Sequence, residues 1–454
     1  MWNVIALVFA VLSFMPAPAR SQEPASPAGK PAGPQVLTLE EAIMLATSEN
    51  RYMKNASLDV GRADDQLAAM KTQALPHLSV TAMEMSTVTP VDFHVNKGQF
   101  GTFASTGPIH ASDTKITTNP RFSTFVFANA SQPLTQLYRI SQGIQVQEIA
   151  KDVASEQMRQ QRQTVVNNVK RGYFAVLQTQ SALEAAEEYI TATRELERVV
   201  GEQVKQQRAL KSDLLDVRTQ LANAEYNTLT LHNQLMSQKE QLNVILGRDI
   251  GTEFTVASIS VPASAEADIT KATAMALKQR PDVKGARLRV QQAEHDHTAK
   301  KAEYIPDLSV VASYIHQDTT SFLPQNVGFV GVQLNWEPFD WGRKKRESAE
   351  KARVIAQASN SVKEMEAQTA AEVNSQHRKL QETYSLLQVN EMARETAREK
   401  LRIMTNRYAQ KAALLQEVLQ AQASLANANN QYSQALLAFW TAKADFEKAV
   451  GEDS

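Results

Sequence analysis

The 454-residue chain contains no cysteine, so it has no disulfide framework, no thiolate nucleophile and no cysteine metal site. It has no charge excess. Its 48 Lys and Arg against 49 Asp and Glu leave a net charge of -1, without the basic face that nucleic-acid binding needs. No run of 18 consecutive apolar residues occurs, so the mature protein is expected to have no transmembrane helix. Proline is missing from two long tracts: none lies between Leu134 and Val261, and none follows Pro338. Because proline interrupts helices, both tracts are open to very long ones. No phosphate-binding loop and no nucleophile–base constellation is recognisable, so no enzyme activity, cofactor or metal is read from the chain.

The apolar stretch Trp2 to Phe14 is too short to span ~30 Å of hydrocarbon. Pro16-Ala17-Pro18-Ala19 follows it and supplies an Ala-x-Ala site, so residues 1–19 read as a signal peptide despite an n-region without Lys or Arg. Residues 20–36 are rich in Pro, Ala and Gly and read as a flexible leader.

What is present is a heptad seam. Val418, Ala421, Leu425, Ala428, Tyr432, Ala435, Phe439, Ala442 and Phe446 follow one another at steps of three and four. That spacing predicts a long helix coiling left-handedly on a neighbour, with alternate alanines allowing close approach. The same seam runs earlier through Leu214, Val217, Leu221, Ala224, Thr228, Leu231, Leu235, Gln238 and Leu242. Both copies contain Leu-Ala-Asn-Ala and end on an apolar residue and glycine, Leu246-Gly247 and Val450-Gly451.

In chain order, Thr38 caps a helix that continues, with a break near Asn50, to Leu75, where Pro76 ends it. Alternation predicts strands at 78–85, 122–131, 307–315 and 327–336, and a loop over 86–120. Helices are expected from Tyr138 to Val204 (~100 Å), after a turn at 205–212 to Leu246, from Pro281 to Ile305, and from beyond Pro338 to Arg407, with a turn at 409–416. Aligned at an offset of 230, residues 56–82 and 286–312 share eleven identities, among them Pro76/Pro306 and Leu78-Ser79-Val80/Leu308-Ser309-Val310. The chain therefore divides into two structural repeats, 37–262 and 263–454, forming one integrated fold.

Strands of about ten residues with one apolar face match tilted membrane strands. Four cannot close a barrel, and lipid tolerates no open edge, so several chains must share one. The helices are too charged for lipid and belong in an aqueous compartment. Trp336, Phe339 and Trp341 gather where the last strand meets the helix, as candidate membrane-interface aromatics.

The ordered set of these features resembles the TolC-like outer membrane efflux protein family. The residues carrying the resemblance are Pro76–Val80 and Pro306–Val310 entering the strands, Gln132-Pro133-Leu134 and Glu337-Pro338-Phe339 leaving them, and the seam Val418–Ala428. The resemblance implies a mainly α fold with a membrane β-barrel portion: a homotrimer with a 12-stranded barrel in the outer membrane lipid and a 12-helix α-barrel in the periplasm. It implies a passive exit duct for drugs, metal ions or proteins, working with a periplasmic adaptor and an inner-membrane transporter. Two departures stand out. Glycine is frequent in the family at each helix-to-helix turn, where this chain has Gln207 and Lys411. The family's Asn-Pro at each repeat start is Asn50-Arg51 and Arg280-Pro281 here.

At the expected periplasmic tip lie Gln207, Lys411, Asp213, Asp216 and Glu417. The three acids could form rings of carboxylates that attract cations, or could complement helix dipoles with Ser212 as cap; the second reading is favoured. His295-Asp296-His297 is expected on solvated helix surface, and His94 and His110 in the long loop. The competing functions are a periplasmic coiled-coil adaptor, which needs one helical hairpin rather than two, and a structural helical protein, which needs no strands.

Overall fold

The structure, a computed structural model, describes residues 35–86, 88–118, 122–259, 268–318 and 324–452. The signal peptide at 1–19, the leader up to residue 34, and the repeat boundary at 262/263 lie outside them.

The described chain is mainly helical. It begins with β1 (Gln35–Leu37), α1 (Leu39–Glu49) and α2 (Arg51–Thr72). The strands β2 (His77–Ser86) and β7 (Phe122–Pro133) enclose the short strands β3 (Val91–Val95), β4 (Thr102–Phe103), β5 (Gly107–Pro108) and β6 (Thr114–Thr118). Then come α3 (Gln136–Lys205), α4 (Lys211–Leu246), β8 (Phe254–Val256), α5 (Ile269–Gln279) and α6 (Pro281–Lys301). A 3₁₀ turn, Ala302–Tyr304, leads to β9 (Asp307–Gln317) and β10 (Asn326–Asn335), and the chain ends with α7 (Arg343–Ala409) and α8 (Leu415–Val450). The order helix, helix, strand, strand, long helix, helix thus occurs over 39–246 and again over 269–450.

The long strands form one antiparallel sheet in the order β10-β9-β7-β2, which leaves β2 and β10 as its edges. The expected strands lie within one or two residues of those observed. The expected loop 86–120 is instead a β-ribbon of β3 with β6, tipped by β4 with β5.

Below the sheet the helices run side by side. The 70 residues of α3 span about 105 Å. On its sheet-side half α3 packs against α2 and α6, and on its far half against α4 and α8. α7 is similarly flanked by α6 and α8. Four helices therefore cross each level: two long ones, and two short ones that hand over midway.

The heptad seam is the packing face of α8. Val418, Ala421, Ala428, Ala435, Phe439, Ala442 and Phe446 are buried, and Leu425 and Tyr432 half-buried. The α4 copy behaves alike, with Val217, Ala224, Leu235 and Leu242 buried. These alanines are already buried within one chain, against the helices beside α8.

The main core sits at the handover level. There β1 pairs in parallel with β8, and α1, α5 and the buried Tyr173, Phe254, Leu246 and Phe439 close around the pair. The Tyr173 hydroxyl is shared between the carbonyl oxygens of Leu37 (3.0 Å) and Ala257 (2.9 Å), and burial raises its pKa. The end of the leader is thus a strand of this belt, and α5 is a helix the pattern reading passed over. α1 is capped as expected, through a box in which Glu41 N donates to Thr38 Oγ1 and Thr38 N to Glu41 Oε2.

Asn50 and Arg280 hold matching posts at this belt, both at φ -60° and ψ 131°. Asn50 Nδ2 donates to the Ile245 carbonyl, 2.6 Å away, and Arg280 Nη1 to the Ala449 carbonyl, 3.1 Å away. Each ties the junction between two short helices, α1/α2 or α5/α6, to the last turn of α4 or α8. Arg280 also pairs with Asp282 (2.6 Å) and Glu372 (2.7 Å). Gly247 and Gly451 cap α4 and α8 in the left-handed conformation, at φ 77° and 86°, pressed against Glu49 and Arg280 respectively.

Candidate functional site

Two regions of the rod carry features beyond packing: the sheet with its junction to the helices, and the turns at the opposite end.

Side chains alternate across a sheet, so its register separates the two faces. One face carries Leu78 and Val80 on β2, Leu308 and Val310 on β9, and Val330, Val332 and Leu334 on β10. Among these Leu78, Val80, Val330, Val332 and Leu334 are all exposed. An isolated sheet in water does not present such a row; it marks a surface made for lipid or a partner. The other face near the helices is mostly small and polar, with Ser79, Ser131, Ser309, Gly331 and Gln333 around Val311.

The junction after β10 displays Trp336, Phe339 and Trp341, all exposed, Trp341 at 90%. Phe339 and Trp341 meet edge to face at 4.9 Å. The turn is held from behind. Asp340 accepts the backbone N–H groups of Gly342 (3.0 Å) and Lys344 (2.8 Å), and these bonds, led by Lys344, hold its carboxyl below the usual range. Arg343 pairs with Glu337 at 2.7 Å. Trp341 itself has a left-handed φ of 57°, a conformation that costs a bulky residue about 1 kcal/mol or more. Tyr138 in the first turn of α3 and Tyr304 before β9 are exposed beside the same sheet ends. The pattern reading missed both; their place within a turn or so of a strand end was the signal.

At the far end the two turns are alike. After α3, Arg208 N donates to Gln203 O and Gln207 N to Val204 O; after α7, Ala412 N donates to Arg407 O and Lys411 N to Tyr408 O. Both are Schellman turns, which need a left-handed residue at their centre. Gln207 (φ 59°) and Lys411 (φ 63°) occupy those centres. The aligned positions are therefore the ones where glycine is conformationally easiest.

Next come Leu210 and Leu414, 69% and 70% exposed, as N-cap residues of α4 and α8. Leu210 N donates to Asp213 Oδ2 (3.1 Å) and Leu414 N to Glu417 Oε2 (2.9 Å). Asp213 and Glu417 thus satisfy orphan helix donors, and Ser212, expected as the cap, lies inside α4. Asp216 is exposed one turn on. Behind the turns Val200, Val217 and Leu419 form a small core, and Tyr408 Oη donates to Gln203 Oε1 (3.1 Å), linking the two hairpins.

Histidines 295 and 297 are not solvated as expected. His295 Nδ1 is 2.8 Å from Gln142 Oε1 on α3, and His297 Nε2 is 3.2 Å from Ser348 Oγ on α7, so they tie α6 to both long helices. His94 lies on β3, and His110 at φ 69° near the ribbon tip. Among the described residues no cluster of His, Asp or Glu forms a metal site, and no helix is long and apolar enough to cross a membrane.

The family model described as outer membrane efflux protein matches residues 42–248 and 273–452. The chain belongs to the outer membrane efflux protein family. That family is one of outer-membrane transport channels, not of enzymes. The outer membrane protein VceC of Vibrio cholerae superposes with a TM-score of 0.71 at 16% identity, over 91% of this chain and 96% of that one. The CmeC outer membrane channel of Campylobacter jejuni gives 0.74 at 14% identity, over 94% and 90%. At these identities the likeness is one of fold. A curated relative from Haemophilus influenzae, described as an uncharacterized protein, is 24% identical over 250 residues, 50% of this chain and 52% of its own length.

Proposed function

We propose that three copies of this efflux protein close their sheets into one 12-stranded barrel in the outer membrane and their helices into a 12-helix tube in the periplasm. The chain is then a duplicated half-unit, each half giving two strands and two staves. One observation carries the reading: the sheet has two unpaired edges, β2 and β10, beside a face of exposed Leu and Val. Lipid leaves no backbone donor unsatisfied, so both edges must pair, and pairing β10 of one copy with β2 of the next closes a ring. The aromatics 336, 339 and 341 then sit at the periplasmic headgroup level.

The duct is passive. It receives substrate from an inner-membrane transporter through a periplasmic adaptor, which meets the tip turns around Gln207 and Lys411. There Asp213 and Glu417 serve the helix starts, and Asp216, like Glu417, is exposed. Fractionation and mass measurement test the proposal. The protein is expected in the outer membrane, needing detergent for extraction, as a particle of three chains. A soluble monomer in the periplasmic fraction overturns it.

A further inference from the structure

The duplication allows the two long hairpins to be compared position by position. Residues of α3 and α4 correspond to those of α7 and α8 at an offset of 204, as the matching caps Leu210/Leu414 and Gly247/Gly451 do. In the second hairpin Arg394 on α7 lays its guanidinium over the Tyr432 ring on α8, 3.8 Å from the centroid, and pairs with Glu391 at 3.9 Å. In the first hairpin Ile190 and Thr228 stand at those two positions. Neither spans the gap, and Thr228 turns its hydroxyl back to the Ala224 carbonyl, 3.0 Å away. A groove of about 370 Å³ remains between α3 and α4, with Leu183, Ile190 and Leu229 along it and Glu187, Arg194 and Glu225 beside them. Arg194 is held by Glu225 across the groove at 2.8 Å. Glu187, the counterpart of Glu391, is exposed and forms no ion pair among the described residues.

An apolar floor beside a free carboxylate complements a guanidinium carried on its aliphatic stem. The second hairpin supplies that group from its own chain, and the first does not. Resting on the trimeric reading above, we propose that the α3–α4 groove is a seat for an arginine side chain of a periplasmic protein partner. That arginine takes, in the first hairpin, the place that Arg394 takes in the second. A free cation is not the occupant, because an exposed ion pair is worth about 1 kcal/mol or less and does not retain a small solute. A partner anchored elsewhere delivers the same contact at high effective concentration, where it counts. Glu187 lies eighteen residues before Lys205, the end of α3, which is about 27 Å along the rod from the tip turn. The partner therefore lies along the flank of the rod, and its arginine fixes its height there. Lysine is a poorer fit, because its compact, strongly hydrated ammonium does not lie flat on an apolar floor.

Because the chain has no cysteine, single thiols report on the groove. His232→Cys places one on its rim, and Asn223→Cys places one nine residues earlier, on the opposite side of α4. Each is reacted with N-ethylmaleimide in intact native cells and as the detergent-purified trimer, and the rate at 232 is divided by the rate at 223. The ratio is expected to be about tenfold lower in cells than in the trimer, as for a partner present at roughly ten times its Kd. Glu187→Gln is expected to bring the two ratios together. Ile190→Arg with Thr228→Tyr fills the seat from within the chain and is expected to do the same. Equal ratios in cells and trimer for the otherwise unchanged protein overturn the seat, including the case where a neighbouring copy covers the rim in both. A difference that survives both Glu187→Gln and the filled variant overturns it too, since the partner then covers the rim without using the groove. A protein that purifies as a monomer overturns the trimeric reading itself, and the seat with it.

Discussion

Gly247 and Gly451 occupy matching caps, yet their neighbours differ, and the difference sets a measurable ranking. A Cβ on Gly247 would lie 2.5 Å from the Glu49 carbonyl oxygen and 3.0 Å from Asn50 N, both backbone atoms. A Cβ on Gly451 would meet Arg280 Cγ at 3.0 Å and its backbone no closer than 3.3 Å. Each alanine also bears the left-handed penalty, about 1–2 kcal/mol. At Gly451 the Arg280 side chain can shift, at some loss to its bonds with Ala449, Asp282 and Glu372. At Gly247 backbone must move, and the Asn50–Ile245 bond with it, which adds about 1 kcal/mol or more. Gly247→Ala is therefore expected to cost roughly 3 kcal/mol and Gly451→Ala roughly 1–2 kcal/mol. The check is the thermal transition of detergent-purified protein, followed by circular dichroism, with Gly61→Ala as control because its Cβ position is open. Equal losses at 247 and 451, or a loss at 61 as large as either, refute the reasoning.

Gln207→Gly and Lys411→Gly relieve the left-handed turns and are expected to be neutral or stabilising by up to about 1 kcal/mol, whereas Gln207→Val should destabilise; thermal melts rank the three. Ala435→Leu overfills a buried seam position and should lower stability and assembled yield by about 1–3 kcal/mol, while Gln431→Leu on the exposed side should not; equal trimer yields count against that placement of the seam. Burial alone would raise Asp282, but the Arg280 hydrogen bond and charge outweigh it and hold the carboxyl below its ordinary value. A depressed carboxyl contributes stability above its unfolded pKa of about 3.9 and loses it as pH falls through the folded value. Melts of wild type and Asp282→Asn should therefore differ most near neutrality and converge in acid.

The long helices and the sheet were legible because their causes are local. Heptad spacing predicted the buried face of α8, and Pro133, Pro306 and Pro338 bounded strands and helices. The tip positions 207 and 411 were also found by alignment, and their left-handed φ supplies the physical reason glycine suits them. The belt was not legible. β1 and β8 have three residues each and pair across more than two hundred residues, so no periodicity betrays them. Helix α5 did leave a mark that went unread: Asp268, its cap, stands at the repeat offset from Thr38. The cap is Leu210 rather than the expected Ser212, and the side chain that serves this helix start is Asp213, three residues on, which accepts the Leu210 N–H. The histidines of α6 are not free surface because α6 packs between two long helices, so that positions two apart reach opposite neighbours, His295 on α3 and His297 on α7.

The two open sheet edges also set an order of events in time. The helical hairpins are made of contacts between neighbouring stretches of chain, which form quickly. The central pairing of β7 with β9 joins residues nearly two hundred apart, and in the proposed trimer pairing across the edges needs other copies of the chain. A newly exported chain would therefore pass through an interval in which its rods are formed while its hydrophobic strands are unprotected. The length of that interval falls as the concentration of like chains rises. Scarcity of the protein would endanger it through aggregation at these edges, and the rate of maturation would depend on how many copies reach the membrane together.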